Sequence, residues 1–264
     1  MEPRGLDELK RWFDDYTNRF FGQDEYVNLH LRMKQEHTRR TCEEMFYLVG
    51  RLSLDENQMR VAEMVALLHD VGRFPQFSLY RTYNDLRSVN HGCLGVEVLD
   101  REGVLEDLAA EERLWVRTAV AHHGQKALPK GLDDRTLLFL KLIRDADKLD
   151  ILRIVSDIYR RRKEDPKGFS FEMELPDESR ISPQVLNAVL NGQPIEYSRL
   201  RVFNDMRLCQ IGWVYDLNFA ASVERFHARN YLDDLLGYLP QTPDIAEVRR
   251  RISGYIDTRL AQQP

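Results

Sequence analysis

The sequence is poor in cysteine, glycine and proline, and it has no long hydrophobic run. Its 264 residues include three cysteines, an odd and scattered set that does not suit a disulfide framework. The 14 glycines and 10 prolines leave few points that force a turn, so an almost entirely helical chain is expected. No apolar stretch approaches the ~20 residues of a membrane-spanning helix. We therefore expect a cytoplasmic protein without a membrane anchor.

An excess of positive charge is also missing. Lys and Arg number 38 against 43 Asp and Glu, a formal net charge of −5, which argues against a broadly basic nucleic-acid-binding surface. The first residues, MEPRGLDELKRWF, are acidic and amphipathic and lack the apolar core of a signal peptide. The motifs HExxH, CxxC, GxSxG and the P-loop are missing. We therefore do not expect a zinc protease, a serine hydrolase of the common type or a P-loop nucleotide-binding protein.

Apolar periodicity predicts one all-α domain over 1–264. Hydrophobic residues make up 43% of the chain, enough for a sizeable core. The spacing of Ser53 and Glu56 fits a capping box that opens a helix ending near Asp70. Gly72 and Pro75 indicate a loop over 72–90. The other N-terminal helices are predicted over 6–20, 26–49, 91–101, 111–123 and 134–162.

The C-terminal third has a different character. Residues 163–181 are polar and carry two prolines and a glycine, and the segment 168–181 is expected to be a short strand or a lid. Helices follow over 182–264, the first beginning at Ser182-Pro183. A long pattern from about 197 to 238 breaks near Gly212. Its aromatic face suits either the core or a dimer surface, which leaves an oligomer open.

Histidines and aspartates recur on apolar helical faces. One such histidine is usually a core residue with a satisfied hydrogen bond. Here Asp70, Asp145 and Asp147 also fall on apolar stripes, where a carboxylate is costly unless it is paired or bound to metal. Several helices that each aim a ligand inward predict a divalent-metal site. The histidines of this set are His37, His69, His91, His122 and His123.

A core held by salt bridges is the competing interpretation. It requires basic partners near the buried aspartates. The candidates within the same apolar segment are Lys141, Arg144, Lys148 and Arg153.

The motif order resembles the H…HD…D signature of the HD-domain metal-dependent phosphohydrolase superfamily. The strings EHTRRTCEEM, LLHDVGRF, VNHGCLGVEVL, AVAHH and DADKLD carry the likeness over about 26–158. It implies a helical bundle with ligands converging at its centre. The implied first metal site consists of His37, His69, Asp70 and Asp147. Two-metal members have extra ligands, which resemble His91, His122 and, as a further candidate, His123, with Asp70 bridging the ions.

The resemblance implies hydrolysis of a phosphoester, in a nucleotide or another small phosphorylated metabolite, by metal-activated water. One or two ions of Mn, Co, Ni, Zn, Mg or Fe are expected. Arg73 and Lys148 are candidate phosphate contacts, and Asp145 or His123 is a candidate for proton transfer.

Two alternatives stay open beside the hydrolase. Some HD-fold proteins are di-iron oxygenases that use the same ligand set, and others are non-catalytic signalling or interaction modules. The expected partner is a small phosphorylated substrate, with no membrane and no nucleic acid. In the predicted 72–90 loop, Arg81, Tyr83 and Arg87 are expected to border the pocket.

Overall fold

The protein is seen in a computed structural model that describes residues 5–164 and 175–262. These ranges contain twelve α-helices, two short 3₁₀ helices and no strand, so the predicted all-α class is confirmed. The chain divides into two compact units, one ending at Asp147 and the other beginning at Lys148. The single domain expected over 1–264 stays a prediction.

Two observations concern membrane-spanning helices and disulfide bonds. Among the helices of the described ranges, none combines the length and apolar character needed to cross a bilayer. The cysteines Cys42, Cys93 and Cys209 are all free. The cytoplasmic location stays a prediction.

The first unit is built from six helices and the start of a seventh. Its central helix, α3, packs against α1, α2 and α6, while α4 packs against α2 and α5, and α5 against α6. Residues on the inner side of α3, such as Val61, Val65 and Leu68, are fully buried. The helices are α1 (Leu6–Asn18), α2 (Glu25–Val49), α3 (Glu56–Leu68), α4 (Arg73–Tyr80), α5 (His91–Arg101), α6 (Ala110–His122) and α7 (Asp134–Glu164), the last of which continues into the second unit.

The capping box of α3 lies two residues beyond the predicted one. Asp55 accepts from the Gln58 backbone N–H at 2.7 Å, and the Gln58 side chain accepts from the Asp55 N–H at 3.0 Å. Because Glu56 is already the first helical residue, Ser53 is too far upstream to cap. The Ser53–Glu56 prediction is therefore wrong, although the helix itself is where the pattern placed it.

Helix α4 occupies part of the segment predicted as a loop. Pro75 is the third residue of this helix, within the first turn, where backbone N–H groups have no intrahelical acceptor. The missing N–H of proline therefore costs nothing there. Phe74 and Phe77 are fully buried and hold the helix in place. The rest of the predicted loop, 82–90, has no helix or strand.

The second unit confirms the predicted C-terminal helical extension. Thr242 caps its last helix and Pro243 begins it, as the sequence indicates. The pattern over 197–238 forms several short helices instead of one interrupted helix, with 3₁₀ turns at Tyr197–Arg199 and Trp213–Asp216. The α-helices of this unit are α8 (Pro183–Leu190), α9 (Phe203–Gly212), α10 (Ala220–Ala228), α11 (Tyr231–Leu236) and α12 (Pro243–Ala261).

The predicted strand or lid at 168–181 falls largely on residues 165–174, which lie outside the described residues. The segment 175–182 is irregular. Asp205, a fully buried residue of α9, accepts from the Ser182 N–H at 2.8 Å and from the Ser182 hydroxyl at 2.6 Å. This carboxylate ties the end of the segment to α9.

Glycines bring the helices of the first unit close together. A Cβ at Gly92 on α5 would lie 2.6 Å from the Ala121 carbonyl oxygen of α6, and a Cβ at Gly72 would overlap the His91 carbonyl oxygen. A Cβ at Gly124 would lie 2.9 Å from the His91 ring. Close approach of α5 to its neighbours therefore depends on the missing side chains.

We predict that Gly92→Ala destabilises the protein by about 1–3 kcal/mol, because the new methyl group must displace backbone. Gly254→Ala on α12 is the matched control, since a Cβ there meets nothing within 4 Å. Alanine favours helix by up to about 1 kcal/mol, so this control is expected to be neutral or stabilising. Urea denaturation measures both changes. Equal stability of the two variants would contradict the close-packing argument.

Candidate metal centre

Three helices and the ends of two others carry the predicted ligands to one place in the first unit. His37 lies in the middle of α2, and Asp147 in α7. His69 caps the C-terminal end of α3 and Asp70 follows it. His91 begins α5, whose N-terminus is capped by the Asn90 side chain, and His123 caps the C-terminal end of α6.

The first group surrounds one oxygen of Asp70. Asp70 Oδ2 lies 3.6 Å from His37 Nε2 and 3.6 Å from His69 Nε2. Asp147 Oδ1 lies 3.1 Å from His37 Nε2 and 3.9 Å from His69 Nε2. Ligands bonded at about 2.1 Å to one ion are about 3.0–3.4 Å apart in octahedral or tetrahedral geometry. The ligand atoms of His37, His69 and Asp70 lie within 4.8 Å of one another and could hold a single ion, and Asp147 lies beside His37 at the edge of this group.

The second group surrounds the other oxygen of the same carboxylate. Asp70 Oδ1 lies 3.6 Å from His91 Nε2 and 3.5 Å from His123 Nε2. The two Nε2 atoms are 3.0 Å apart. Asp70 thus belongs to both groups that could hold a metal ion, one oxygen facing each.

Hydrogen bonds on the far side of the rings set the tautomers. His69 Nδ1 lies 2.8 Å from the Ala66 carbonyl oxygen and His123 Nδ1 lies 2.9 Å from the Val120 carbonyl oxygen. A carbonyl oxygen can only accept, so Nδ1 carries the proton and Nε2 presents its lone pair. His69 Nε2 is buried and has no hydrogen-bond partner within the described residues. An unsatisfied buried lone pair of this kind fits a metal ligand.

The contact between His91 and His123 also fits a metal site. His91 Nδ1 lies 2.7 Å from Asp85 Oδ2, an ionised carboxylate oxygen that accepts a hydrogen bond from the Nδ1–H group. With both Nδ1 atoms protonated, two Nε2 lone pairs face each other at 3.0 Å. This arrangement is repulsive unless a cation lies between them. The residues therefore fit a metal ion at the second group as well.

The surroundings of the ligands favour neutral histidine rings and ionised aspartates, which are the protonation states that bind metal. Burial lowers the pKa of His69 to about 3 and that of His91 to about 4, so both rings are neutral at pH 7. Burial opposes ionisation of Asp70, but the Lys34 ammonium holds the pKa of Asp70 well below its usual range. Burial also opposes ionisation of Asp147, and the nearby His37 ring outweighs burial and lowers that pKa.

Arg73 and Asp85 form a supporting layer behind the second group. Arg73 Nη1 donates to Asp85 Oδ1 at 2.9 Å, to the Tyr83 carbonyl oxygen at 2.6 Å and to Gln76 Oε1 at 2.8 Å. The other oxygen of Asp85 holds the His91 ring. Carboxylates in this position fix the orientation and basicity of histidine ligands.

The structure places His123, and not His122, in the second group. Neighbouring residues on a helix point about 100° apart, so one helix end cannot aim both rings at Asp70. His122 is half-buried, and its Nδ1 has no hydrogen-bond partner within the described residues. Asp145 is fully buried in α7 and belongs to neither group, and its proton-transfer role stays a prediction.

Three of the four basic residues of the competing salt-bridge interpretation have identified partners. Lys148 pairs with Asp216 at 3.0 Å, and Arg153 with Asp150 at 3.1 Å. Arg144 is buried and donates to the His123 carbonyl oxygen at 3.1 Å, which holds the end of α6. The phosphate contact expected of Lys148 stays a prediction.

Two residues of the centre were missed by the sequence analysis. Lys34 donates to Asp70 Oδ2 at 2.8 Å, and its position three residues before His37 on α2 was an available signal. Asp85 lies in an irregular segment without periodicity, so no local pattern indicated it.

The comparison with known families agrees with this geometry. A family model described as the HD domain matches residues 35–152. No curated protein and no solved structure matches the chain significantly. The matched range contains all six residues of the two groups. The superfamily of this domain consists mostly of metal-dependent hydrolases. Residues 35–152 are therefore an HD domain, as the resemblance of the motifs implied.

Proposed function

We propose that the protein is a phosphohydrolase that uses two divalent ions per chain. The observation that carries this proposal is Asp70, whose two oxygens face two separate ligand groups. A carboxylate shared in this way is the usual bridge of two-metal hydrolytic sites. The proposed first group is His37, His69, Asp70 and Asp147, and the proposed second group is Asp70, His91 and His123.

The donor set narrows the identity of the ions. Neutral imidazoles together with carboxylates suit Mn, Fe, Co, Ni and Zn, whereas Mg prefers a shell of oxygen atoms. Bound ions would supply a water of lowered pKa and an electrophilic contact for a phosphoryl oxygen. The histidines would remain neutral ligands, because burial keeps protons off His69 and His91 at pH 7.

Hydrogen bonds from the chain orient the histidine rings of the proposed centre. Asp85 fixes the ring of His91, and the Ala66 and Val120 carbonyl oxygens fix the rings of His69 and His123. Since Nδ1 of His123 donates to the Val120 carbonyl oxygen and Nε2 faces the second group, we propose a ligand role for this residue in place of proton transfer. Arg73 holds Asp85 and the Tyr83 backbone of the same irregular segment in position.

Elemental analysis of the purified protein tests the number of sites. We expect about two moles of divalent metal per mole of wild-type chain. His123→Ala should lose one of them, because it removes one of three ligands from the second group, whereas His122→Ala should keep both. These adjacent substitutions form a matched pair. Equal metal content in the two variants would contradict the second group.

The same analysis separates the two enzymatic interpretations. Manganese, cobalt, nickel or zinc would support the hydrolase. Two moles of iron, together with substrate-dependent oxygen consumption, would support the di-iron oxygenase instead, since that chemistry uses the same ligands.

Hydrolysis is expected to depend on the bridge. Asp70→Ala should lose metal and reduce turnover of a phosphate ester such as p-nitrophenyl phosphate by about three orders of magnitude or more, because both ions lose a ligand. Activity is measured after metal reconstitution, with circular dichroism as the folding control. Full activity of Asp70→Ala would refute the site, and an inactive but metal-loaded wild type across many esters would favour a binding module.

Stability of the metal-free protein should depend on pH. His69 and His91 have folded-state pKa values below the unfolded value of about 6.5, so unfolding takes up protons between about pH 4 and 6.5. The contribution of these two histidines to the free energy of unfolding is therefore fully present above pH 6.5. Below that pH the free energy of unfolding falls by up to about 1.4 kcal/mol per pH unit per histidine. Denaturation in EDTA at pH 7, 6 and 5 measures this slope. His69→Gln should reduce it and His227→Gln, at an exposed position, should not; a flat profile would contradict neutral buried ligands.

A further inference from the structure

Lys34 lies directly beside the proposed centre. Its ammonium is 2.8 Å from Asp70 Oδ2, the same oxygen that faces the first group, and 5.2 Å from the centre of the Tyr83 ring. It precedes His37 by three residues on α2, so both side chains share one helix face. Lys34 also stands just before the matched HD segment, which begins at residue 35.

The charge of Lys34 is balanced by Asp70 when no ion is bound. Two bound dications, together with Lys34 and Arg73, would carry more positive charge than Asp70, Asp85 and Asp147 carry negative charge. A largely buried ammonium beside such a centre is then unfavourable unless an anion is added. The loaded centre therefore favours an anionic ligand at Lys34.

Exposure shows from which side such a ligand can approach. The side chains of Lys34 and Asp147 are 19% and 16% exposed, against 3% for Asp70 and none for His69. Lys34 thus lies at the accessible edge of the centre. Within the described residues, its ammonium is paired with Asp70 alone, which leaves donors for a ligand.

Arg73 is less suited to the same task. Its Nη1 already donates to Asp85, Gln76 and the Tyr83 carbonyl oxygen. Moving this side chain would release Asp85 and therefore the ring of His91. Lys34 has a flexible stem and can turn from Asp70 toward a ligand without disturbing the second group.

We propose that Lys34 binds the phosphate group of the substrate, and that this substrate is a phosphate monoester. The inference rests on the proposed function. A monoester is largely dianionic at pH 7 because its second pKa is about 6, whereas a diester carries one charge. The dianion balances the excess positive charge of the loaded centre better. Arg73 and the Tyr83 ring border this phosphate subsite.

Calorimetric titration of the metal-loaded protein with inorganic phosphate tests the subsite without relying on turnover. Lys34→Met should keep the metal content and fold of the wild type and weaken phosphate binding about ten-fold or more, since it removes a charge-assisted hydrogen bond. Lys34→Arg should restore most of the affinity. Lys141→Met, a half-exposed lysine of the same unit, is the matched control and should bind phosphate as the wild type does.

Each other outcome overturns a defined part of the argument. Unchanged phosphate affinity in Lys34→Met, or no phosphate binding by the metal-loaded wild type, overturns the phosphate subsite and leaves the metal centre intact. Loss of metal from Lys34→Met shows that the lysine only positions Asp70. A wild type without metal overturns the proposed function itself. Equal inhibition by phosphate monoester and diester analogues overturns the choice of a monoester.

Discussion

The buried carboxylate of Asp70 is the constraint on which the first unit depends. It is 3% exposed and faces four imidazoles, which as neutral rings cannot balance its charge. An isolated buried charge costs several kcal/mol, so the fold must supply cations around it. Lys34 contributes one at 2.8 Å, and Arg73 lies 3.5 Å from the other oxygen. Divalent ions would complete this compensation, which explains why a fold would keep a carboxylate in such a place.

Helix termination positions the ligands around this carboxylate. The last carbonyl groups of a helix have no intrahelical donor. At the ends of α3 and α6, the carbonyl oxygens of Ala66 and Val120 are such groups, and they accept from the rings of His69 and His123. Stopping each helix there therefore fixes a histidine tautomer at no cost in backbone hydrogen bonds. The glycines on and beside α5 then allow His91 to approach close enough to complete the second group.

How far the sequence predicts this arrangement depends on the range of the interactions. Helix positions follow from apolar periodicity, which is local, and the predicted 91–101 helix matches its observed bounds. The His69–Asp70 pair is recognisable in the sequence because the two ligands are adjacent residues. The choice of His123 over His122 depends on how α6 is rotated against its neighbours, which local pattern does not specify. Asp85 acts through a hydrogen bond across an irregular segment, and Pro75 is compatible with a helix only because of its exact place in the first turn.

The cations around Asp70 also bear on the choice between hydrolase and oxygenase. The six ligands alone suit either chemistry, because both require a bridged pair of ions. A lysine at the accessible edge distinguishes them, since it adds positive charge where substrate must arrive. An uncharged or weakly polar substrate would gain little from Lys34 and would leave it unbalanced beside two dications. A phosphate gains from every cation in the centre, so the placement of Lys34 favours phosphoester hydrolysis.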